Sequence, residues 1–439
     1  MDGPRAPAHP GATSGRRAAW ATCPALLLWL GLLAGTFLWG SALNEAGHGI
    51  KLNAPPFHGH YEWRVTWRVL VPLGFGAAAS LLLPPLSSRV AWRRLLVLLV
   101  TVATVWALAL AFVNEWDSLT NPVTRDTEYL AAVPLVDSAG PFLRSFTARL
   151  GDYPLHVRGH PPGFVLLLWA LNELGLRGPA WVAAVEILGG SAMVAAALVA
   201  LRELAGERSA RAAAPFLALA PVAVWVATAA DAFFAGVSSW GVALFVTATG
   251  RTGLASAVQG LAAGFLLGLA LYLSYGTVPL IAIVLTVATA RRAARALLLS
   301  AFGVVAVAGA FYLAGFWWLD GLAATLERYR AGAASARPLG YFAVSNIAAF
   351  GAALGPAVAV ALVRLRDRRV WLLVGGALIA LVSADLSGLS KGEVERIWLP
   401  FAPWLLIAAC ALPASTRSAW LALQAFVAVV IQAGIRTPW

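Results

Sequence analysis

Residues 124–136, TRDTEYLAAVPLV, bring Arg125, Asp126 and Glu128 within four positions, and His156, Arg158 and His160 follow just before the double proline of GHPPG. Carboxylates so spaced can take a proton from an attacking hydroxyl, and His extends that capacity near neutral pH. A further acid, Asp231, stands in TAADAFF, between two long apolar runs. The segment 318–340 carries Arg330 and Arg337, and SKGEVERIW carries Lys391, Glu393, Glu395 and Arg396. Cations among acids suit charge-assisted bonds to a phosphate. Each feature also has a purely structural reading. Asp126 can cap a short helix over Glu128–Val136, Asp231 can be interfacial, and outer Arg and Lys can snorkel to the membrane surface.

The elements that position these groups follow from composition. With 60% hydrophobic and 12% charged residues among 439, and a mean hydropathy of +0.77, the chain is too apolar for an aqueous fold. It reads as an all-α, polytopic transmembrane bundle. Crossing the hydrocarbon core takes about 20 apolar residues. Thirteen spans are expected, at 22–43, 67–85, 91–113, 180–201, 212–230, 232–249, 253–274, 276–290, 296–317, 341–363, 370–388, 397–412 and 418–435. The apolar stretch Phe164–Leu171 is too short to cross and is expected to be re-entrant or interfacial. The organisation is then a disordered cytoplasmic tail (1–21), a three-span segment (22–113), an extracytoplasmic acidic loop carrying short interfacial helices (114–179), a core of spans (180–317), an outer loop (318–340) and C-terminal spans (341–439). Cys23 and Cys410 fall in or beside spans and form neither a disulfide framework nor a metal motif.

Short loops at 87–94, 202–211, 291–295 and 364–369 are rich in Arg, and basic short loops stay cytoplasmic. The N-terminus is therefore expected inside, in a cell membrane whose high Ala, Gly, Arg and Trp usage suits a bacterium. On that topology only Asp2, Glu203, Glu207 and Asp367 face inward, leaving 16 of the 20 acids outside or at outer span ends. The outer face has the inventory of an active site. The net charge of +12 is mostly a topology signal, and a nucleic-acid partner is not expected because no basic face is paired with stacking aromatics.

The order of pieces resembles the GT-C superfamily of membrane glycosyltransferases, which includes polyprenyl-phosphate-sugar-dependent mannosyl and aminoarabinosyl transferases. The matching pieces are RDTEY (Arg125–Tyr129), GHPPG (Gly159–Gly163), ALRELAGERSAR (Ala200–Arg211) and TAADAFF (Thr228–Phe234), covering roughly residues 110–250. Two departures stand out. The acids read Asp-Thr-Glu rather than Asp-Glu, which leaves Asp126 and Glu128 both open as the base. More spans precede the acidic loop than those families need, so loop 44–66, with Glu45, His48, His58, His60 and Glu62, is an alternative first catalytic loop, although no double-proline re-entry follows it.

The resemblance implies an inverting transfer from a polyprenyl-phosphate sugar to a hydroxyl of a glycan, lipid or protein acceptor in contact with membrane lipid. Asp126 or Glu128 would act as base, with Asp231 as a further catalytic acid. Arg330, Arg337, Lys391 and Arg396 would face the phosphate, with His160, Glu393 and Glu395 completing the substrate-binding set. No metal site or cofactor is assigned, a divalent cation at Asp126, Glu128 and His160 being an option. With no glycine-rich phosphate loop, a nucleotide sugar is not the expected donor. The rival readings are a multi-span transporter or lipid flippase, for which ionisable groups near mid-membrane and an internal repeat are lacking, and a non-catalytic accessory protein.

Overall fold

The computed structural model describes residues 22–438, and almost all of its regular structure is helical. Helices α1 (Thr22–Glu45), α2 (Leu70–Arg89) and α3 (Trp92–Ala111) come first. The long loop that follows holds α4 (Ala139–Ser145), α5 (Leu155–Arg158) and α6 (Gly163–Glu173). The middle of the chain forms α7 (Pro179–Ala205), α8 (Glu207–Ala218), α9 (Ala230–Thr249), α10 (Gly253–Leu273), α11 (Ile281–Arg291) and α12 (Ala294–Leu313). The C-terminal third forms α13 (Trp318–Ala331), α14 (Leu339–Leu354), α15 (Pro356–Arg364), α16 (Arg368–Leu386), α17 (Val394–Ile397), α18 (Ala402–Leu406) and α19 (Arg417–Gly434).

Among the described residues nine helices are long and apolar enough to cross a membrane. They coincide with nine of the thirteen expected spans. Of the other four, 276–290 and 397–412 correspond to shorter apolar helices, Tyr275–Arg291 and Leu399–Ala411, and 212–230 and 341–363 are interrupted beside proline, which removes a backbone donor and clashes with the preceding turn. The stretch 212–230 ends its helix at Ala218 and continues as a 3-10 turn from Pro221. The stretch 276–290 starts with a 3-10 turn holding Pro279. The stretch 341–363 bends by 97° between α14 and α15, where Gly355 has φ +87° and Pro356 opens the second helix. The stretch 397–412 is a series of short turns around Pro400 and Pro403. Helix α6, 11 residues long, is too short to span, as expected of Phe164–Leu171.

Contacts sort the chain ends and loops to two poles. At one, Arg211 donates to the carbonyls of Ser87 and Val90 at 2.7 and 2.8 Å, and Arg291 reaches Glu203 and Thr249. Arg364 donates to Thr22 there at 2.8 Å. The Arg-rich loops therefore meet on one side of the bundle together with the start of α1. At the other pole the short strands β1 (His60–Tyr61) and β2 (Ile435–Arg436) pair antiparallel, tying loop 46–66 to the end of α19. The acids of the long loop lie at this second pole.

Small residues bring the central helices into contact. A Cβ on Gly236 of α9 would lie 1.9 Å from the Gly189 carbonyl of α7, and one on Gly264 of α10 would lie 1.9 Å from the Ser300 carbonyl of α12. Glycines at such crossings let backbones touch where lipid supplies no hydrophobic drive. Glu186 and Asp231 sit one to two turns from the α7–α9 contact. The long loop is itself packed. Tyr129, Phe146, Tyr153, Phe164, Phe234 and Phe316 form one buried aromatic cluster beneath it.

Candidate functional site

Arg396, on the single turn α17, lies between two carboxylates. Its Nη1 donates to Asp231 Oδ2 at 2.5 Å and its Nη2 to Glu393 Oε2 at 2.5 Å. Burial alone would lower the pKa of this guanidinium, but Asp231 and Glu393 outweigh it and raise it. Burial pushes the Glu393 carboxyl up, yet Arg396, His58 and His156 together hold it at about 2. Its neighbour Glu395 is buried, accepts the His58 backbone N–H at 2.9 Å, and is pushed by burial up to about 7. Ion pairs this buried are costly to assemble and are strongly destabilising to break. In a membrane protein they usually mark function.

Asp231 reaches Arg396 because α9 begins at Ala230 and its first turn faces inward; the acid is buried. Around it stand groups from the long loop. Tyr129 packs edge-on against Phe164 at 5.0 Å and His160 at 5.7 Å. Burial, reinforced by Asp231, pushes its phenol well above the usual range. His160 Nδ1 lies 2.8 Å from the His156 carbonyl, and burial lowers this imidazole's pKa. Glu128 Oε1 pairs with His156 Nδ1 at 2.9 Å. Glu186 of α7 is buried, with one carboxylate oxygen lacking a hydrogen-bond partner, and it acts electrostatically on Tyr129, as Glu128 and Asp231 do.

The double proline sets this register. Pro161 and Pro162 are buried and precede α6, whose first residue, Gly163, abuts the Tyr272 carbonyl so closely that a Cβ would lie 2.3 Å from it. Proline suits the entry to a helix, where no N–H is needed. His160 is thereby held beneath the α9 terminus, 5.7 Å from the Phe234 ring.

The edge of the cluster is basic. Loops 332–338 and 388–393 are joined by Arg337 Nη1 to the Lys391 carbonyl at 2.5 Å, Lys391 Nζ to the Ser335 carbonyl at 2.7 Å, and Tyr329 OH to the Gly388 carbonyl at 2.7 Å. From below, Asn346 donates to Asp385 at 2.8 Å and to the Ser390 carbonyl at 2.7 Å, and accepts the Gly392 N–H at 3.2 Å. This clamp holds the segment in which Glu393 takes up a left-handed conformation, φ +61°.

Of the residues singled out in the sequence, Glu128, His160, Asp231, Glu393, Glu395 and Arg396 come together, with Arg337 and Lys391 beside them. Asp126 is exposed two residues from Glu128, and it is Glu128, not Asp126, that occupies the N-cap position of the following 3-10 helix, without a side-chain cap bond. Arg330 is exposed on α13 and joins the set through its backbone, its carbonyl accepting from Ser335 Oγ at 2.9 Å. Sequence reasoning passed over His156, Tyr129, Glu186 and Asn346 as site residues. The signal for Glu186 was present, an acid within an apolar span. His58 belongs to the alternative loop 44–66, whose backbone reaches Glu395 in the same cluster.

The three residues named for a divalent cation, Asp126, Glu128 and His160, stand in different surroundings. Asp126 is exposed, Glu128 is paired with His156, and His160 is turned to the His156 carbonyl. Among the described residues no group of three or more His, Cys, Asp or Glu is placed to hold a metal ion.

No known protein family and no curated protein matches the chain. Among solved structures it is similar to the oligosaccharyltransferase of Archaeoglobus fulgidus in complex with Zn and sulfate, at 15% identity and a TM-score of 0.49 over 78% of this chain and 54% of that one. The same archaeal protein, AglB, with an inhibitory peptide and a dolichol-phosphate gives 13% identity and a TM-score of 0.42 over 78% and 56%. ArnT of Cupriavidus metallidurans in the apo state gives 17% identity and a TM-score of 0.42 over 64% and 58%. The chain spans about half the length of the oligosaccharyltransferase it matches.

Proposed function

We propose that this chain is a membrane glycosyltransferase that takes a sugar from a polyprenyl phosphate and passes it, with inversion, to an acceptor hydroxyl at the pole opposite the Arg-rich loops. The observation that carries the reading is the buried bridge from Asp231 through Arg396 to Glu393, set among Glu128, His156, His160 and Tyr129. An acidic centre with a basic edge suits a reaction that removes a proton from one partner and leaves a phosphate on the other.

In this reading the acceptor oxygen attacks the anomeric carbon while the bond from that carbon to the phosphate oxygen breaks, and the electron pair leaves with the phosphate. The hydroxyl proton passes to Glu128, the less exposed of the two candidate bases, whose carboxylate is oriented by His156. Asp231 and Glu393 are fixed by Arg396 and hold the sugar hydroxyls. Lys391 and Arg337 neutralise the leaving phosphate at the edge, with Arg330 further out on α13. Arg396 reaches the phosphate only by sharing its charge with the two acids, so its first role is to keep them ionised and aligned.

Proteoliposomes containing the purified protein and a panel of polyprenyl-phosphate sugars test this. Release of polyprenyl phosphate that depends on protein, and is lost with Glu128→Gln, supports the reading. Absence of release with every donor, from protein that remains folded, contradicts it.

A further inference from the structure

We propose that the groove between α1 and the bent pair α14–α15 binds an acyl chain of an anionic phospholipid, with the headgroup phosphate beside the Arg cluster of residues 364–369. The site lies apart from the polar cluster, and only the exclusion of a polyprenyl donor rests on the function proposed above.

A cavity of about 740 Å³ runs along this groove, between Pro24, Leu28 and Trp29 of α1 and Gly351, Leu354 and Val358 of the bent pair. The volume falls within the roughly 300–1,000 Å³ of small-ligand sites, which normally carry a few polar groups to orient the ligand. Here the walls are almost wholly apolar. Within the groove Trp29 Nε1 donates to the Gly351 carbonyl at 2.9 Å. The groove exists because the 97° bend at Gly355 carries α15 away from the line of α14, while α1 runs straight past.

Charge identifies the occupant. Leu362 and Val363 line the groove, and directly after them Arg364 donates to Thr22 at the start of α1. Residues 364–369 hold four Arg and one Asp, and the Asp367 carboxylate is engaged in capping Arg369 N–H at 2.8 Å. Arg366, Arg368 and Arg369 are exposed. An apolar slot that ends at a cluster of cations recognises a molecule with a long hydrocarbon chain and an anionic head, and basic clusters beside transmembrane helices bind acidic lipid headgroups. A polyprenyl donor is the poorer fit, because the cations assigned to its phosphate, Arg337 and Lys391, lie at the opposite pole.

The test uses the full chain purified in detergent, with phosphatidylglycerol or phosphatidylcholine carrying a photoreactive group in the acyl chain. Crosslinks are expected in peptides containing Leu28, Trp29 or Val358, at least 10-fold more with phosphatidylglycerol. Arg366→Gln, Arg368→Gln and Arg369→Gln combined should remove that preference while leaving weak labelling by both lipids. Gly351→Leu should abolish labelling in the groove, since a Cβ there meets nothing nearer than Trp29 at 3.8 Å and the side chain can enter the slot. The proposal is overturned if the wild type labels equally with both lipids or only elsewhere. Displacement of the label by polyprenyl phosphate more readily than by phosphatidylglycerol also overturns it. Because the wild-type map decides the matter, a failure of Gly351→Leu to fold does not leave it open.

Discussion

At the scale of single residues the two candidate bases are separable. Glu128→Gln should lower transfer by on the order of 10² to 10⁴, whereas Asp126→Asn, at an exposed position, should retain most activity. The reverse pattern in a proteoliposome assay would move the base by two residues. Arg396→Lys replaces a planar fork that serves Asp231 and Glu393 at once by a single ammonium, which cannot reproduce the pair. It should impair donor binding and lower the unfolding temperature together; unchanged affinity would remove Arg396 from the site. Glu395 gives a pH signature. Its carboxyl, pushed by burial from 4.5 up to about 7, binds a proton in the folded chain that the unfolded chain has already released between those values. Its contribution to stability is therefore full below 4.5 and is lost as pH rises through about 7. Thermal unfolding in detergent at pH 5 and pH 8 should show this loss in the wild type, and Glu395→Gln should flatten it. The residue types at the site were legible in the sequence. Their pairing was not, because Asp231 and Arg396 are 165 positions apart and only the packing of helices joins them.

At the scale of elements, glycines set how closely the central helices approach. Gly264→Ala places a methyl against the Ser300 carbonyl of α12 at 1.9 Å, and such overpacking costs about 1–3 kcal/mol. A measurable fall in unfolding temperature is expected, larger than for Gly309→Ala, where a Cβ meets nothing within 4 Å. Equal effects would show that the α10–α12 crossing is looser than described. Spans with uninterrupted apolar sequence were found at their expected positions. The two that break, 212–230 and 341–363, did so beside prolines that an averaged hydropathy does not weigh, so 341–363 read as one span and is two helices meeting at Gly355. The shortness of the helix after the double proline was legible from the length of its apolar run. What could not be read was that Gly163 seats it on the end of α10, a contact between segments far apart in sequence.

At the scale of the whole molecule, the Arg loops gather at one pole and the acidic site at the other, the asymmetry seen in the charge distribution. In a chain with Cys23 and Cys410 replaced by Ser, Ser138→Cys should react with an impermeant thiol reagent on intact cells and Arg366→Cys only after lysis. The opposite outcome would invert the protein in the membrane.

The central claim is tested most directly by lipid extracts of cells that lack the gene, complemented with the wild type or with Glu128→Gln. A polyprenyl-phosphate sugar should accumulate in the deletion and in the Gln variant, and return to the background level with the wild type. Identical lipid profiles in all three strains would contradict a role in transfer from a lipid-linked sugar.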